Sequence, residues 1–129
     1  GIRVLVEAIN PLDMPGFLIN TPAQLDALLR AVDQRNCLAQ YDLYHMARQG
    51  LDLVTGIELL RGRIGHVQVA DCPGRGAPGS GQLDFAAPLA ALQRSGYRGW
   101  LGAEYRPGEA GTLASLSWLA DWRQAGGSS

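Results

Sequence analysis

Ile64-Gly65-His66-Val67-Gln68-Val69-Ala70, followed by Asp71-Cys72-Pro73-Gly74-Arg75-Gly76-Ala77-Pro78-Gly79-Ser80-Gly81, is the stretch on which the fold turns. A short run rich in β-branched residues gives way to a loop dense in Gly and Pro, as when a strand runs into a turn. Asp84 then stands as an N-cap for a helix carrying Phe85, Leu89 and Leu92, which Gly96 closes. Gly99 to Tyr105 reads as the next strand. Strand, helix, strand in that order predicts a parallel βαβ unit.

The same rhythm extends in both directions. Upstream, Leu38 to Leu43 reads as a strand and Asp52 to Arg61 as a helix with Leu53, Ile57 and Leu60 on one face, weakened by Gly56. Before them, Thr21-Pro22-Ala23-Gln24 opens a helix with a capping box and Pro at the first helical position. Its stripe is Leu25, Leu28, Leu29 and Val32. The first strand is Ile2 to Glu7, with an irregular loop from Asn10 to Asn20. Downstream, a last helix carries Leu113, Leu116, Leu119 and Trp122, and Gln124 to Ser129 reads as a disordered tail. The expectation is an α/β domain of four βα units over residues 1–123, either a small open sheet or half of an eight-stranded barrel. The chain lacks an initiator Met and enters a strand almost at once, which reads as a fragment or a processed piece.

Composition narrows the function classes. The 129 residues are 47% hydrophobic and 18% charged with net charge −1, the balance of a globular protein. There is no basic stripe, so no nucleic-acid partner is expected. No apolar run approaches the roughly 20 residues that span a bilayer, so no membrane partner is expected, and no signal peptide is recognisable. Cys37 and Cys72 lack CxxC spacing and read as reduced thiols of a cytoplasmic protein, with Cys37 in the core.

Each strand ends in a potential metal ligand: Glu7, Asp42, Gln68 and Glu104. Side chains alternate along a strand, so Leu5 and Glu7 share a face, as do Gln40 and Asp42, His66 and Gln68, and Gly102 and Glu104. The opposite face carries Val4, Val6, Ala39, Tyr41, Val67, Val69, Leu101 and Ala103, which suits packing on helices. A lone Glu at a strand end is ordinarily just solvated. Three carboxylates and a carboxamide in one phase at consecutive strand ends repel unless a cation neutralises them. Oxygen ligands suit Mg²⁺ or Mn²⁺.

Val6-Glu7-Ala8, Tyr41-Asp42-Leu43-Tyr44-His45, His66-Val67-Gln68-Val69-Ala70 and Gly102-Ala103-Glu104-Tyr105-Arg106-Pro107 resemble, in order, the signatures of the hydroxypyruvate isomerase family of xylose-isomerase-like barrels. The resemblance runs from residue 2 to about residue 123 and selects the half-barrel reading, strands five to eight. It implies that Glu7, Asp42, Gln68 and Glu104 hold one divalent metal, and that Glu7 and Glu104 are the acid–base pair. It further implies conversion of hydroxypyruvate to tartronate semialdehyde through an enediolate, with a 2-oxo-tetronate isomerase as the nearest rival. His45 resembles the family's substrate-contacting histidine, the alternative being a structural loop residue. Arg75 and Arg106 are candidates for the substrate carboxylate, Arg75 the weaker. The family loop usually reads Arg-His-Glu-Pro-Gly, whereas Arg75 is followed here by Gly76-Ala77-Pro78-Gly79, and Gln82 stands where Glu is usual. Asp71 reads as a loop-capping carboxylate rather than an extra ligand. With only His45 and His66, the chain lacks the histidines of the related multi-zinc DNA-repair endonucleases. A half barrel leaves sheet edges open, so the expected partners are the missing N-terminal half or a second copy; weak or no activity is expected of the fragment alone, and the alternative is a non-catalytic half barrel that only folds and self-associates.

Overall fold

All strand pairings are parallel, as the βαβ rhythm requires. The computed structural model describes residues 1–109 and 111–126, with side chains through residue 123 apart from residue 110. Among these residues β1 (Val4–Glu7), β2 (Cys37–Asp42), β3 (Ile64–Val69) and β4 (Leu101–Ala103) form one sheet in the order β1-β2-β3-β4. The connections are α1 (Pro22–Val32), then α2 (Leu43–Arg48) and α3 (Leu53–Leu59), then α4 (Ala86–Arg94). After β4 come α5 (Gly111–Ala114) and α6 (Trp118–Gly126).

The start of α1 follows directly from its residues. Thr21 Oγ1 accepts from the Gln24 N–H at 3.2 Å, and Gln24 Oε1 accepts from the Thr21 N–H at 3.1 Å. Pro22 fills a first-turn position whose N–H would have no partner.

Several boundaries differ from those expected. Strand β2 stops at Asp42, because the Asp42 carboxylate accepts from the Tyr44 N–H at 2.8 Å and caps a helix that begins at Leu43. That short helix, α2, has too few turns to show a periodicity. Strands β1 and β4 are shorter at their ends than the apolar runs suggested. The last helix is two, α5 and α6, and Leu113 is 88% exposed rather than buried. Helix α6 continues to Gly126, inside the segment expected as a tail, and residues 127–129 lie outside the described residues. Asp84 acts one position early: its Oδ1 accepts from the Ala86 N–H, while Phe85 is the N-cap.

Two glycines matter to the packing. Gly56, the weak point of α3 by propensity, faces Tyr41 so closely that a Cβ there would overlap the Tyr41 hydroxyl. That hydroxyl in turn donates to the Leu53 carbonyl at 3.0 Å, pinning α3 onto β2. Gly65 lies at a β-bulge: Ala39 pairs with Ile64, yet Gln40 pairs with His66. A Cβ on Gly65 would sit 2.7 Å from Leu5 Cδ2 and 2.8 Å from Leu38 Cβ. The skipped residue changes the phase of β3. It lets Ile64 join Val67 and Val69 on the helix side while His66 and Gln68 align with Gln40 and Asp42.

The core lies between the sheet and the helices. Ala39, Tyr41, Val67 and Val69 are buried against Leu25 and Leu29 of α1, Leu43 and Met46 of α2, Ile57 and Leu60 of the α3 segment, and Ala91 and Leu92 of α4. Burial of this face supplies most of the driving force for the sandwich. The edge strands are different: Val4, Leu5, Leu101 and the neighbouring Ile2 and Trp100 are exposed. The expected helix-packed face is therefore realised on β2 and β3 and only in part on β1 and β4. Cys37 is half-buried, packed against the core, and both cysteines are free. No helix among the described residues is long and apolar enough to cross a membrane.

Candidate functional site

Parallel strands carry all their C-terminal ends to one edge of the sheet, so residues late in each strand meet there. Asp42 and Gln68 are paired across β2 and β3, and Glu7 is paired with Gln40 across β1 and β2. A ladder of side-chain hydrogen bonds runs along this edge. Gln40 Nε2 donates to Glu7 Oε2 at 2.8 Å and to Gln68 Oε1 at 2.6 Å, and Gln68 Nε2 donates to Glu104 Oε2 at 2.8 Å. Three of the four residues expected at the strand ends, Glu7, Gln68 and Glu104, thus stand in one row joined through Gln40, and Asp42 makes none of these bonds.

Beside this row, paired with Gln68 across β2 and β3, lies Asp42, 1% exposed. Its Oδ1 is occupied by the Tyr44 N–H, but its buried Oδ2 has no hydrogen-bond partner. His45 follows on the first turn of α2, so its Nε2 reaches back to within 3.7 Å of Asp42 Oδ2 and 3.8 Å of Glu7 Oε1. Glu7, Asp42 and His45 each offer one potential ligand atom, all within 4.8 Å of one another. Crowding acids in a poorly hydrated corner disfavours their charged forms. Burial, with repulsion from Asp42 next, pushes the Glu7 carboxyl up to about 7. Burial chiefly pushes Asp42 up to about 6. A divalent cation between them would remove the penalty, and the unpartnered Oδ2 is the donor atom such an ion would use.

The remaining candidates separate. Glu104 stands at the open edge with its side chain 55% exposed. Arg75, the weaker arginine by sequence, is the one beside the carboxylates: its Nη2 lies 3.2 Å from Glu104 Oε2 and 3.7 Å from Asp42 Oδ2. Its guanidinium lies over the Tyr44 ring, 5.0 Å from the centroid. Arg106 is tied to the same loop by its backbone N–H, which donates to the Arg75 carbonyl at 2.8 Å. Its side chain lines a separate groove with Pro78, Ser80 and Trp118. Asp71 is buried, and its oxygens accept from the backbone N–H groups of Cys72, Gly79 and Leu83. It organises the loop and has no oxygen to spare.

Three neighbours escaped the sequence reading as site residues. Gln40 could have been found, because it shares its phase with Asp42 on a strand. Asn10 and Asp13 could not: they lie in an irregular loop without periodicity, and only the fold brings them against His45 and Tyr44.

Comparison with known proteins places this geometry. A model of the xylose isomerase-like TIM barrel family matches residues 1–122. Over 122 residues the chain is 38% identical to a hydroxypyruvate isomerase of Escherichia coli, covering 95% of this chain and 47% of the relative. It is also 38% identical to a 2-oxo-tetronate isomerase of Cupriavidus necator, covering 92% of this chain and 45% of the relative. A crystal structure from Brucella melitensis, named as an AP endonuclease of family 2, superposes with TM-score 0.87 at 38% identity, covering 95% of this chain and 47% of that one. The chain spans less than half the length of these relatives.

Proposed function

Since the chain belongs to the xylose isomerase-like TIM barrel family, we propose that it supplies strands five to eight of an eight-stranded barrel that isomerises a short sugar acid. The substrate we assign is hydroxypyruvate, converted to tartronate semialdehyde. One Mg²⁺ or Mn²⁺ would be held by Glu7, Asp42, Gln68 and Glu104. The observation that carries this reading is the buried, unpartnered Asp42 Oδ2 facing the Glu7 carboxylate. A hard divalent ion suits this oxygen-rich set and would supply the positive charge that makes a C–H beside a carbonyl acidic.

The chain's own groups divide the remaining work. Isomerisation needs a proton removed from one carbon and one returned to its neighbour. Glu7, at the buried end of the row beside Asp42, would accept the proton from the substrate carbon. Glu104 stands at the other end of the row and would exchange a proton on the substrate's far side. Gln68, between Gln40 and Glu104, keeps its amide turned so that Oε1 faces the interior of the row. Arg75 would take the substrate carboxylate, a task for which a planar guanidinium is well shaped, whereas Arg106, expected to share it, lines the separate groove. His45 would contact a substrate oxygen.

The 2-oxo-tetronate isomerase reading is favoured by the Cupriavidus relative, which matches at the same identity. An endonuclease is not proposed, since His45 and His66 are the chain's two histidines. The open edges at β1 and β4, flanked by exposed Ile2, Val4, Trp100 and Leu101, would be closed by an N-terminal half barrel or by a second copy. Turnover assays of the complete barrel on both substrates, with Mg²⁺, Mn²⁺ or chelator, test the proposal. Metal-dependent hydroxypyruvate turnover is expected. Faster turnover of 2-oxo-tetronate would transfer the assignment to that substrate, and activity indifferent to chelator would remove the metal.

A further inference from the structure

Asn10 takes no part in the row of strand-end residues, yet it is wholly buried beside it. Its amide orientation is settled by a donor that has only one role. The backbone N–H of Asp13 donates to Asn10 Oδ1 at 2.9 Å, so the other end of the amide is the NH₂ group. That Nδ2 lies 3.2 Å from Asp13 Oδ2 and 2.7 Å from His45 Nδ1. Asp13 is itself an acceptor on all sides, receiving Tyr44 Oη at 2.6 Å and Arg48 Nε at 3.2 Å. Both amide hydrogens of Asn10 therefore have acceptors, and one of these is the imidazole Nδ1. A nitrogen that accepts a hydrogen bond carries no proton, which leaves the proton of the neutral ring on Nε2.

We propose that Asn10 is a positioning residue that holds His45 as the Nε2–H tautomer, so that the ring offers a hydrogen-bond donor to a substrate oxygen in the Glu7–Asp42 corner. This deepens the isomerase reading and rests on it for the substrate. Metal ligation would be a second use of His45, because its Nε2 stands within ligand range of the group it forms with Glu7 and Asp42. Ligation needs a bare Nε2 and a protonated Nδ1, and that proton would point at the Asn10 NH₂ across 2.7 Å. The contact rejects it. The Nε2 distances of 3.7 and 3.8 Å to the two carboxylates are too long for direct hydrogen bonds and leave the donor free for a ligand oxygen. The ring is almost fully enclosed, so its direction is set by this contact and by the helix that carries it.

The protein has two histidines, so long-range ¹H–¹⁵N spectra of the imidazoles, assigned with a His66→Gln variant, read the tautomer directly. The expected result is a bare Nδ1 and a protonated Nε2 on His45, unchanged when Mg²⁺ is added. An Asn10→Asp variant replaces the donor by an acceptor and should put a proton on Nδ1. In the complete barrel it should lower kcat roughly 10–100-fold with KM for Mg²⁺ retained. A protonated Nδ1 in the unsubstituted protein, or a proton that leaves Nε2 when Mg²⁺ binds, overturns the proposal whether or not the variant folds. The spectra need no substrate, so they stand apart from any failure of the isomerase assay.

Discussion

Asp42 and Glu104 occupy like positions at the ends of parallel strands, yet their surroundings are opposite. Asp42 ends a central strand, with α2 capped on one oxygen and a buried, unpartnered second oxygen. Glu104 ends an edge strand, over half exposed, held by Gln68 and Arg75. Glu7, although it ends edge strand β1, is desolvated together with Asp42 by this chain alone. Glu104, beside the other edge strand, keeps over half of its side chain exposed. The Glu7–Asp42 corner of the site is therefore built by local sequence, and the Glu104 end is left open.

The largest expected effect falls on catalysis. Glu7→Gln and Glu104→Gln in the complete barrel should each reduce turnover on the order of 10²–10⁴-fold while the fold persists, read by steady-state kinetics beside circular dichroism. Near-normal turnover in either variant would remove that residue from the acid–base pair. If only Glu104→Gln were tolerated, the contrast between centre and edge would extend to the chemistry itself.

Next comes a pH effect confined to the Glu7–Asp42 corner. Folding raises the Glu7 carboxyl from 4.5 to about 7 and the Asp42 carboxyl from 3.8 to about 6, each chiefly by burial. Between the unfolded and folded values the native protein holds protons that the unfolded chain has released. The two carboxyls therefore lower metal-free stability as pH rises from 3.8 to about 7, against an opposing rise from the single His45, whose burial holds it below its usual value. Mg²⁺ binds the deprotonated forms, so the gain in Tm on adding it should widen across the same window. Thermal melts with chelator and with Mg²⁺ measure both slopes. A flat metal-free profile would show that the carboxylates are hydrated after all.

A smaller effect probes packing beneath the site. Gly56→Ala places a methyl against the Tyr41 hydroxyl and should destabilise by about 1–3 kcal/mol, seen in urea denaturation. Smaller still, Leu113→Ala should change stability by less than about 0.5 kcal/mol, because the side chain is 88% exposed.

How much of this was legible in the sequence differs along the same line. The alternation of Gln40 with Asp42 and of His66 with Gln68 was enough to put those side chains on one face, and the Thr21–Gln24 cap was readable residue by residue. Strict alternation from Ile64 to Val69 could not reveal the Gly65 bulge, which changes phase inside the strand. Asp42 was legible as a strand end but not as the cap of α2, because capping depends on where its carboxylate turns, not on its type. Leu113 fits a helical stripe, yet burial needs a neighbour and among the described residues none covers it. Asn10 carried no signal at all, since its importance lies in a contact thirty-five residues away.

The central claim is that the buried corner of Glu7 and Asp42 is held ready for a divalent ion. Calorimetric titration of Mg²⁺ and Mn²⁺ into the protein and into an Asp42→Asn variant tests it directly. Asn retains the capping oxygen for α2, so the comparison isolates charge from fold. Saturable binding to one site, with affinity weakened by about 3–5 kcal/mol in the variant, is the predicted result. Equal binding by both proteins would contradict the account and place the metal, if any, elsewhere.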